Sequence, residues 1–81
     1  MELTKQELLE ILERCNSATP GPWISFVEGR DHTSGSNFIR TDMDDIELHG
    51  AANVKDQDFI AAAKQDIPAL VEMIMKLKGW S

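Results

Sequence analysis

The 81-residue sequence is poor in cysteine and has no long apolar run. Its one cysteine, Cys15, excludes a disulfide framework or a cysteine-rich zinc site within one chain, and it favours a reducing cytoplasm. No stretch approaches the roughly 20 apolar residues of a membrane-spanning helix. The first ten residues are amphipathic and acidic, without the apolar core of a signal peptide, so we expect no membrane attachment.

Basic residues are also scarce. Eight lysines and arginines stand against 14 acidic residues, which gives a net charge of −6. Attachment to DNA or anionic lipid needs a basic face, so this balance argues against bulk nucleic-acid binding. A nucleotide would need a local basic pocket, for which Arg30 and Arg40 are the arginines outside the first predicted helix. The length predicts a single domain, residues 1–81, and an apolar content of 42% suffices for a core.

A first helix is predicted near the N-terminus. Thr4 and Glu7 have the spacing of a capping box, in which each side chain accepts a hydrogen bond from the backbone amide of the other residue. Apolar residues then recur at helical spacing on one face. The helix is expected to end at Asn16 and Ser17, because the prolines of the following ATPGPW segment prevent its continuation.

Short strands and a second helix are predicted to follow. Residues 23–27, 37–41 and 46–49 are strand candidates, and an acidic turn at residues 42–45 separates the last two. Asp56 is then expected to cap a long helix that is kinked, or divided into abutting segments, at Pro68. The predicted fold class is α+β: a small antiparallel meander of two or three strands with both helices on one face, in the order α-β-β-β-α.

The segment 28–41, EGRDHTSGSNFIRT, is the part that a simple scaffold does not explain. Its nine-residue polar loop, residues 29–37, is longer than the two to five residues usual for a hairpin, and binding residues concentrate in such loops. Arginine and hydroxyl side chains are donors suited to an anion, and glycines let backbone amides approach a ligand. The predicted ligand-binding residues are Trp23, Arg30, His32, Thr33, Ser34, Ser36, Asn37 and Arg40.

Structural interpretations of the same residues stay open. In the alternative interpretation, the loop is an ordinary hairpin connection in which Arg30 pairs with Glu28 or Asp31. The loop has no known glycine-rich phosphate-binding pattern. Trp23, which follows a proline, is more often a core anchor at the start of a strand than a stacking surface.

Catalysis and metal binding are not predicted. Asp31, His32 and the nearby serines are too close along the chain to form a catalytic triad, which depends on spatial roles. Cys15 lies on the apolar face of the first helix, where a free cysteine is usually a core residue. The acidic turn lacks the central glycine and the final glutamate of a calcium loop, so we expect no metal and no cofactor.

The C-terminal helix extends its apolar surface beyond what one small core needs. Met73, Met75 and Trp80 contribute to this surface. A chain of this length buries only about 60% of its unfolded surface, and small domains gain stability by pairing. We therefore predict a homo-oligomer that forms through this helix.

Two motifs resemble those of a family of small phage and prophage early-region proteins. They are ATPGPW at residues 18–23 and DQDFIAAAKQDIPAL at residues 56–70, where the family has D-x-D-F-I-A-x-A-R-x-D-x-P-x-L. Lys64 departs from the family pattern, in which arginine is usual, and GRDHTSGSNFI resembles the signature of one subgroup. The resemblance implies a phage or prophage origin and expression in the cytoplasm of a bacterial host.

Small phage proteins of this size often act against host immunity, and one class sequesters nucleotide signals made by defence enzymes. By this analogy we predict a non-enzymatic, homo-oligomeric sponge for a nucleotide-like anion. Arg30 and Arg40 would hold phosphates, and Trp23 or His32 would stack on the base. The alternative is an acidic protein-interaction module that inhibits a host protein directly, and an enzyme that degrades the same nucleotides is a weaker third hypothesis.

Overall fold

The computed structural model describes residues 2–33, 35–48 and 54–80. The elements follow one another as α1 (Lys5–Ser17), β1 (Ile24–Phe26), β2 (Phe38–Arg40), β3 (Asp45–Glu47) and α2 (Val54–Lys78). The α+β fold class and the order α-β-β-β-α are therefore confirmed. His49, the last residue of the third predicted strand, lies outside the described residues. No described helix combines the length and the apolar character needed to cross a membrane.

Helix α1 begins and ends where the sequence predicts. The Thr4 hydroxyl accepts from the Glu7 amide at 3.1 Å, and the Glu7 carboxylate accepts from the Thr4 amide at 2.9 Å. At the other end, the Ala18 amide donates to the Arg14 carbonyl. Because these bonds satisfy backbone groups that the helix leaves unpaired, both boundaries are defined locally.

The three strands form one antiparallel sheet in the order β1-β2-β3. Ile39 lies opposite Ser25 on one side and Ile46 on the other. Alternate residues of a strand point to opposite faces. Ile39 is fully buried, whereas Phe26 and Phe38 stack on the other face with their ring centroids 5.1 Å apart.

Helix α2 packs on β1 and β2, whereas α1 packs against α2 and not on the sheet. This differs from the prediction that both helices lie on one face of the sheet. The reason is length: the 25 residues of α2 extend for about 37 Å, and strands of three residues span only about 10 Å. The sheet cannot cover the whole helix, and α1 covers part of the remainder.

The helical core lies between α1 and α2. Leu8, Val71 and Met75 are buried in it, and Trp80 packs against it. Met75 and Trp80 thus belong to the core of the chain, although the sequence suggested them for self-association. Gly79, at φ +72°, reverses the chain so that the Trp80 amide reaches the Met75 carbonyl at 2.8 Å.

Helix α2 is one continuous element that includes Pro68. The prediction of abutting segments is therefore wrong. Asp56 lies in the first turn of the described helix and does not cap it, because Val54, two residues earlier, is already helical. The apolar face continues on both sides of Pro68, through Ala61 and Val71, and its burial offsets the backbone hydrogen bond that a proline cannot donate.

Candidate functional site

Arg30, the first predicted anion donor, is bound by two carboxylates of its own chain. Its Nη1 and Nη2 donate to the two oxygens of Asp58 at 2.8 and 3.0 Å, and its Nε donates to Asp31 at 3.0 Å. The hydrogen bonds from Arg30, and then the one from the Ser25 hydroxyl, lower the pKa of Asp58 to about 2. An anionic ligand would therefore have to displace both carboxylates from the guanidinium group.

Asp31 organises the start of the loop. Its carboxylate accepts from the Val27 amide at 2.8 Å, and this bond is the largest cause of the lowered pKa of Asp31. The Arg30 and Asp31 amides both donate to the Val27 carbonyl, and Gly29 adopts φ +86°. The pairing of Arg30 with Asp31 is one of the structural interpretations that the sequence left open. Asp58, 28 residues away, is the partner that sequence reasoning missed.

Arg40 lies over the aromatic pair on the outer face of the sheet. Its guanidinium carbon is 5.0 Å from the ring centroid of Phe26 and 5.4 Å from that of Phe38. Its Nε donates to Asp45 at 3.4 Å, directly across the β2–β3 pair. Cation–π contacts and this carboxylate account for its position without a ligand.

The remaining loop residues have mixed environments. The Asn37 side-chain oxygen accepts from the Glu28 amide at 2.9 Å, and His32 lies half-buried with its ring centroid 5.4 Å from that of Phe38. Thr33 is exposed and Ser36 is half-buried. Ser34 lies outside the described residues.

Trp23 lies apart from the other predicted residues. Gln65 of α2 holds its backbone at both the amide (2.8 Å) and the carbonyl (3.3 Å), while the indole N–H donates to the Thr19 carbonyl. The Lys64 ammonium is 5.5 Å from the ring centroid. The half-buried ring lines a groove of about 470 Å³ between α1 and α2, and among the described residues its lining includes none of the other predicted ligand-binding residues. The structure therefore does not bring the seven described residues of this set into one pocket.

The described residues hold no group of three or more histidine, cysteine, aspartate or glutamate side chains placed to bind a metal ion. Cys15 is half-buried beside the groove, and its carbonyl accepts from the Lys64 ammonium at 2.6 Å. The sequence predicted that Cys15 lies on the apolar face of the helix, and this environment agrees with that prediction.

The turn between β2 and β3 presents acidic side chains on an ordered backbone. The Thr41 hydroxyl, which is nearly buried, accepts from the Met43 amide at 3.2 Å and from the Asp44 amide at 2.9 Å. The Asp42 amide donates to the Pro20 carbonyl at 3.0 Å. Asp42 and Asp44 are exposed and form no salt bridge with another described residue.

Residues 18–48, which contain the three strands, hold six acidic residues and two arginines. Their net charge is −4, and both arginines are paired with carboxylates. We call this part of the molecule the acidic end. Its field is negative, so it attracts cationic surfaces and repels free anions.

Comparison with protein families, with curated proteins and with solved structures finds no significant match to this chain. The resemblance to phage and prophage early-region proteins therefore stays an expectation from the sequence motifs.

Proposed function

We propose that this chain is a non-enzymatic protein-interaction module whose acidic end docks on a basic surface of a partner protein. The observation that carries the proposal is the pairing of Arg30 and Arg40 with internal carboxylates. With both arginines occupied, the acidic end offers a partner its negative charge.

The ordered turn supports this role. Thr41 and the Asp42 amide hold the backbone of the turn in one arrangement before any partner binds. Binding by a preorganised surface loses less conformational entropy, and opposite charges speed association and select against acidic partners.

If the resemblance to phage and prophage proteins is correct, the partner is a protein of the bacterial host and the interaction takes place in its cytoplasm. A basic surface that normally binds nucleic acid is a suitable target, because an acidic protein that covers it competes with phosphates for the same cationic groups.

Sequestration of a nucleotide-like anion stays a prediction that the geometry favours less. A phosphate at Arg30 would have to replace the bidentate Asp58 carboxylate and the Asp31 carboxylate, both already at hydrogen-bond distance. It would also have to enter a region of net charge −4, where Coulomb repulsion opposes it.

The test compares two double variants of the immobilised chain in a bacterial lysate. Asp42→Asn with Asp44→Asn removes charge from the acidic end, yet it keeps the side-chain oxygen that accepts from the Asp45 amide. Glu10→Gln with Glu13→Gln removes the same charge from the exposed face of α1 and serves as the matched control. We expect a captured protein that elutes as salt is raised, and at least about tenfold less of it on the aspartate variant.

Equal capture by the two variants would overturn the proposal. Calorimetry with ADP-ribose and with a cyclic dinucleotide is the second arm. Stoichiometric heat from the wild-type chain that is lost in Arg30→Ala would establish the anion sponge in its place.

A further inference from the structure

Helix α2 has a second apolar face besides the one in the core. Apolar residues recur along it at alternating spacings of three and four, and we call this set the seam: Ile60, Ala63, Ile67, Leu70, Ile74 and Leu77. The five large residues of the seam are 37% to 80% exposed. Gln57, Ala61, Val71 and Met75 form the separate stripe that the rest of the chain buries. In the described part of the chain, this stripe is buried whereas the seam stays partly exposed.

The spacing of the seam is that of a heptad repeat. Ile60, Ile67 and Ile74 occupy one core position of the heptad, while Ala63, Leu70 and Leu77 occupy the other. In parallel coiled coils, isoleucine at the first position with leucine at the second favours two strands, and the direction of the helices is argued below from charge and shape.

The exposed area agrees with one missing partner. The chain exposes 5911 Å², whereas a compact protein of its mass, 9.1 kDa, exposes about 4,900 Å². The excess, about 1,000 Å², is similar to the roughly 800 Å² that each partner buries in a standard interface. The radius of gyration, 15.2 Å, also exceeds the roughly 12 Å of a compact chain of this length.

Charge allows two copies of α2 to meet. The helix holds four lysines and four acidic residues, so its net charge is zero, and the −6 of the chain lies entirely outside it. The acidic end packs on the first half of α2, through contacts such as that of Gln57 with Ser25. Parallel pairing would bring two ends of charge −4 together, whereas antiparallel pairing separates them.

The shape of the seam also favours the antiparallel direction. Its first half, Ile60, Ala63 and Ile67, lines the groove between α1 and α2 together with Trp23. Its second half carries the two most exposed residues of the seam, Leu70 at 57% and Leu77 at 80%. In a symmetric antiparallel register, the second half of each seam enters the groove of the other copy.

We infer that a second copy of this chain covers the seam and forms an antiparallel dimer through α2. In this register Ile60 lies opposite Leu77 of the other copy, Ala63 opposite Ile74, and Ile67 opposite Leu70. The inference uses a different face from the proposed function and does not depend on it. The dimer displays one acidic end at each of its two extremities.

The first test measures mass in solution. Sedimentation equilibrium of the wild-type chain is expected to give twice the 9.1 kDa of one copy. Leu70→Glu with Leu77→Glu is expected to weaken dimerisation at least about 100-fold, because the carboxylates would be buried without partners. Ala62→Glu with Ala69→Glu adds the same charges at exposed positions of α2 outside the seam and is expected to keep the dimer.

Circular dichroism separates lost dimerisation from lost folding, since both double variants should retain the same helix content. A monomeric wild-type chain at 100 μM-scale concentrations would overturn the inference, as would an unchanged dimer in the seam variant. The lysate experiment tests the proposed function through Asp42 and Asp44, which lie outside the seam. Its failure would therefore leave the dimer measurement unaffected, and the reverse also holds.

The second test determines direction. Two variants are made in a Cys15→Ser background: one carries Ile60→Cys, and the other carries Leu77→Cys and a tag. The two proteins are mixed and oxidised. The antiparallel dimer predicts a disulfide between the two different chains. Oxidation of Ile74→Cys alone into a homodimer, with no product from the mixture, would show parallel helices and overturn the proposed arrangement.

Discussion

At the scale of single residues, Arg30 and Asp58 connect the loop to α2. The loop approaches the first turns of α2, and the planar guanidinium matches the two oxygens of one carboxylate. Both side chains are substantially exposed, 46% and 42%, so water screens the pair and its main effect is on loop geometry.

The lowered pKa of Asp58 makes the contribution of this pair dependent on pH. The pKa is about 2 in the fold and 3.8 ordinarily, so the folded state favours the ionised form. The stabilisation is present above the ordinary pKa and is lost as the pH falls through the folded pKa. In urea denaturation, the difference between wild type and Asp58→Asn should be constant from about pH 7 to 5 and should close between about pH 4 and 2.

A difference that persists unchanged to pH 2 would show that ionisation of Asp58 is not its source. Asp66→Asn, an exposed α2 residue with no salt bridge to another described residue, is the control and should leave the denaturation midpoint nearly unchanged at pH 7.

Gln57 is almost completely buried, with only 1% of its surface exposed, in contrast to the exposed pair of Arg30 and Asp58. Its side-chain amide donates to the Ser25 hydroxyl and to the carbonyls of Phe26 and Phe38, at 2.8 to 3.1 Å. Gln57→Leu keeps the volume and leaves these acceptors without that donor, so we expect a loss of about 2–4 kcal/mol in the free energy of unfolding. Gln6→Leu, on the exposed side of α1, should cost less than about 0.5 kcal/mol in the same measurement.

At the scale of elements, local signals account for most boundaries. The capping box at Thr4 and the prolines after α1 act within a few residues, so sequence reasoning located α1 and the strand order. The start of α2 was predicted less well, and of the two alternatives at Pro68 the abutting segments are excluded, because the packing of the buried face outweighs the local preference for a break.

The capping box supplies a test at this scale. Thr4→Ala removes the acceptor for the Glu7 amide, and we expect it to lower the free energy of unfolding by about 1 kcal/mol. Thr33→Ala, in the exposed part of the loop, is the matched control and should change it little. Thermal denaturation followed by circular dichroism measures both, and equal stabilities would mean that the box does not hold the start of α1.

At the scale of the whole molecule, the chain is elongated, with extents of 48 × 26 × 17 Å. One small sheet and one short helix cannot cover all of a 25-residue helix. The inferred second copy would cover the part of this helix that the sheet and α1 leave exposed.

Dimerisation predicts that stability depends on concentration. If folding and association are coupled, the urea midpoint should rise when the protein concentration is raised from about 1 to 100 μM. In the seam variant Leu70→Glu with Leu77→Glu, the midpoint should be independent of concentration. A wild-type midpoint that does not move would contradict coupling between the two processes.

The sequence by itself determined the features that depend on neighbouring residues: the capping box, the corner before β1, the polar loop, the acidic turn and the apolar phase of α2. Tertiary structure alone decided which carboxylate Arg30 binds, which apolar residues of α2 enter the core, and where α1 packs. Asp58 and Arg30 are 28 residues apart, and Met73 and Met75 are chemically equivalent in the sequence. Such choices depend on which surfaces the folded chain brings together, because the energy of a contact depends on distance in space and not on separation along the chain.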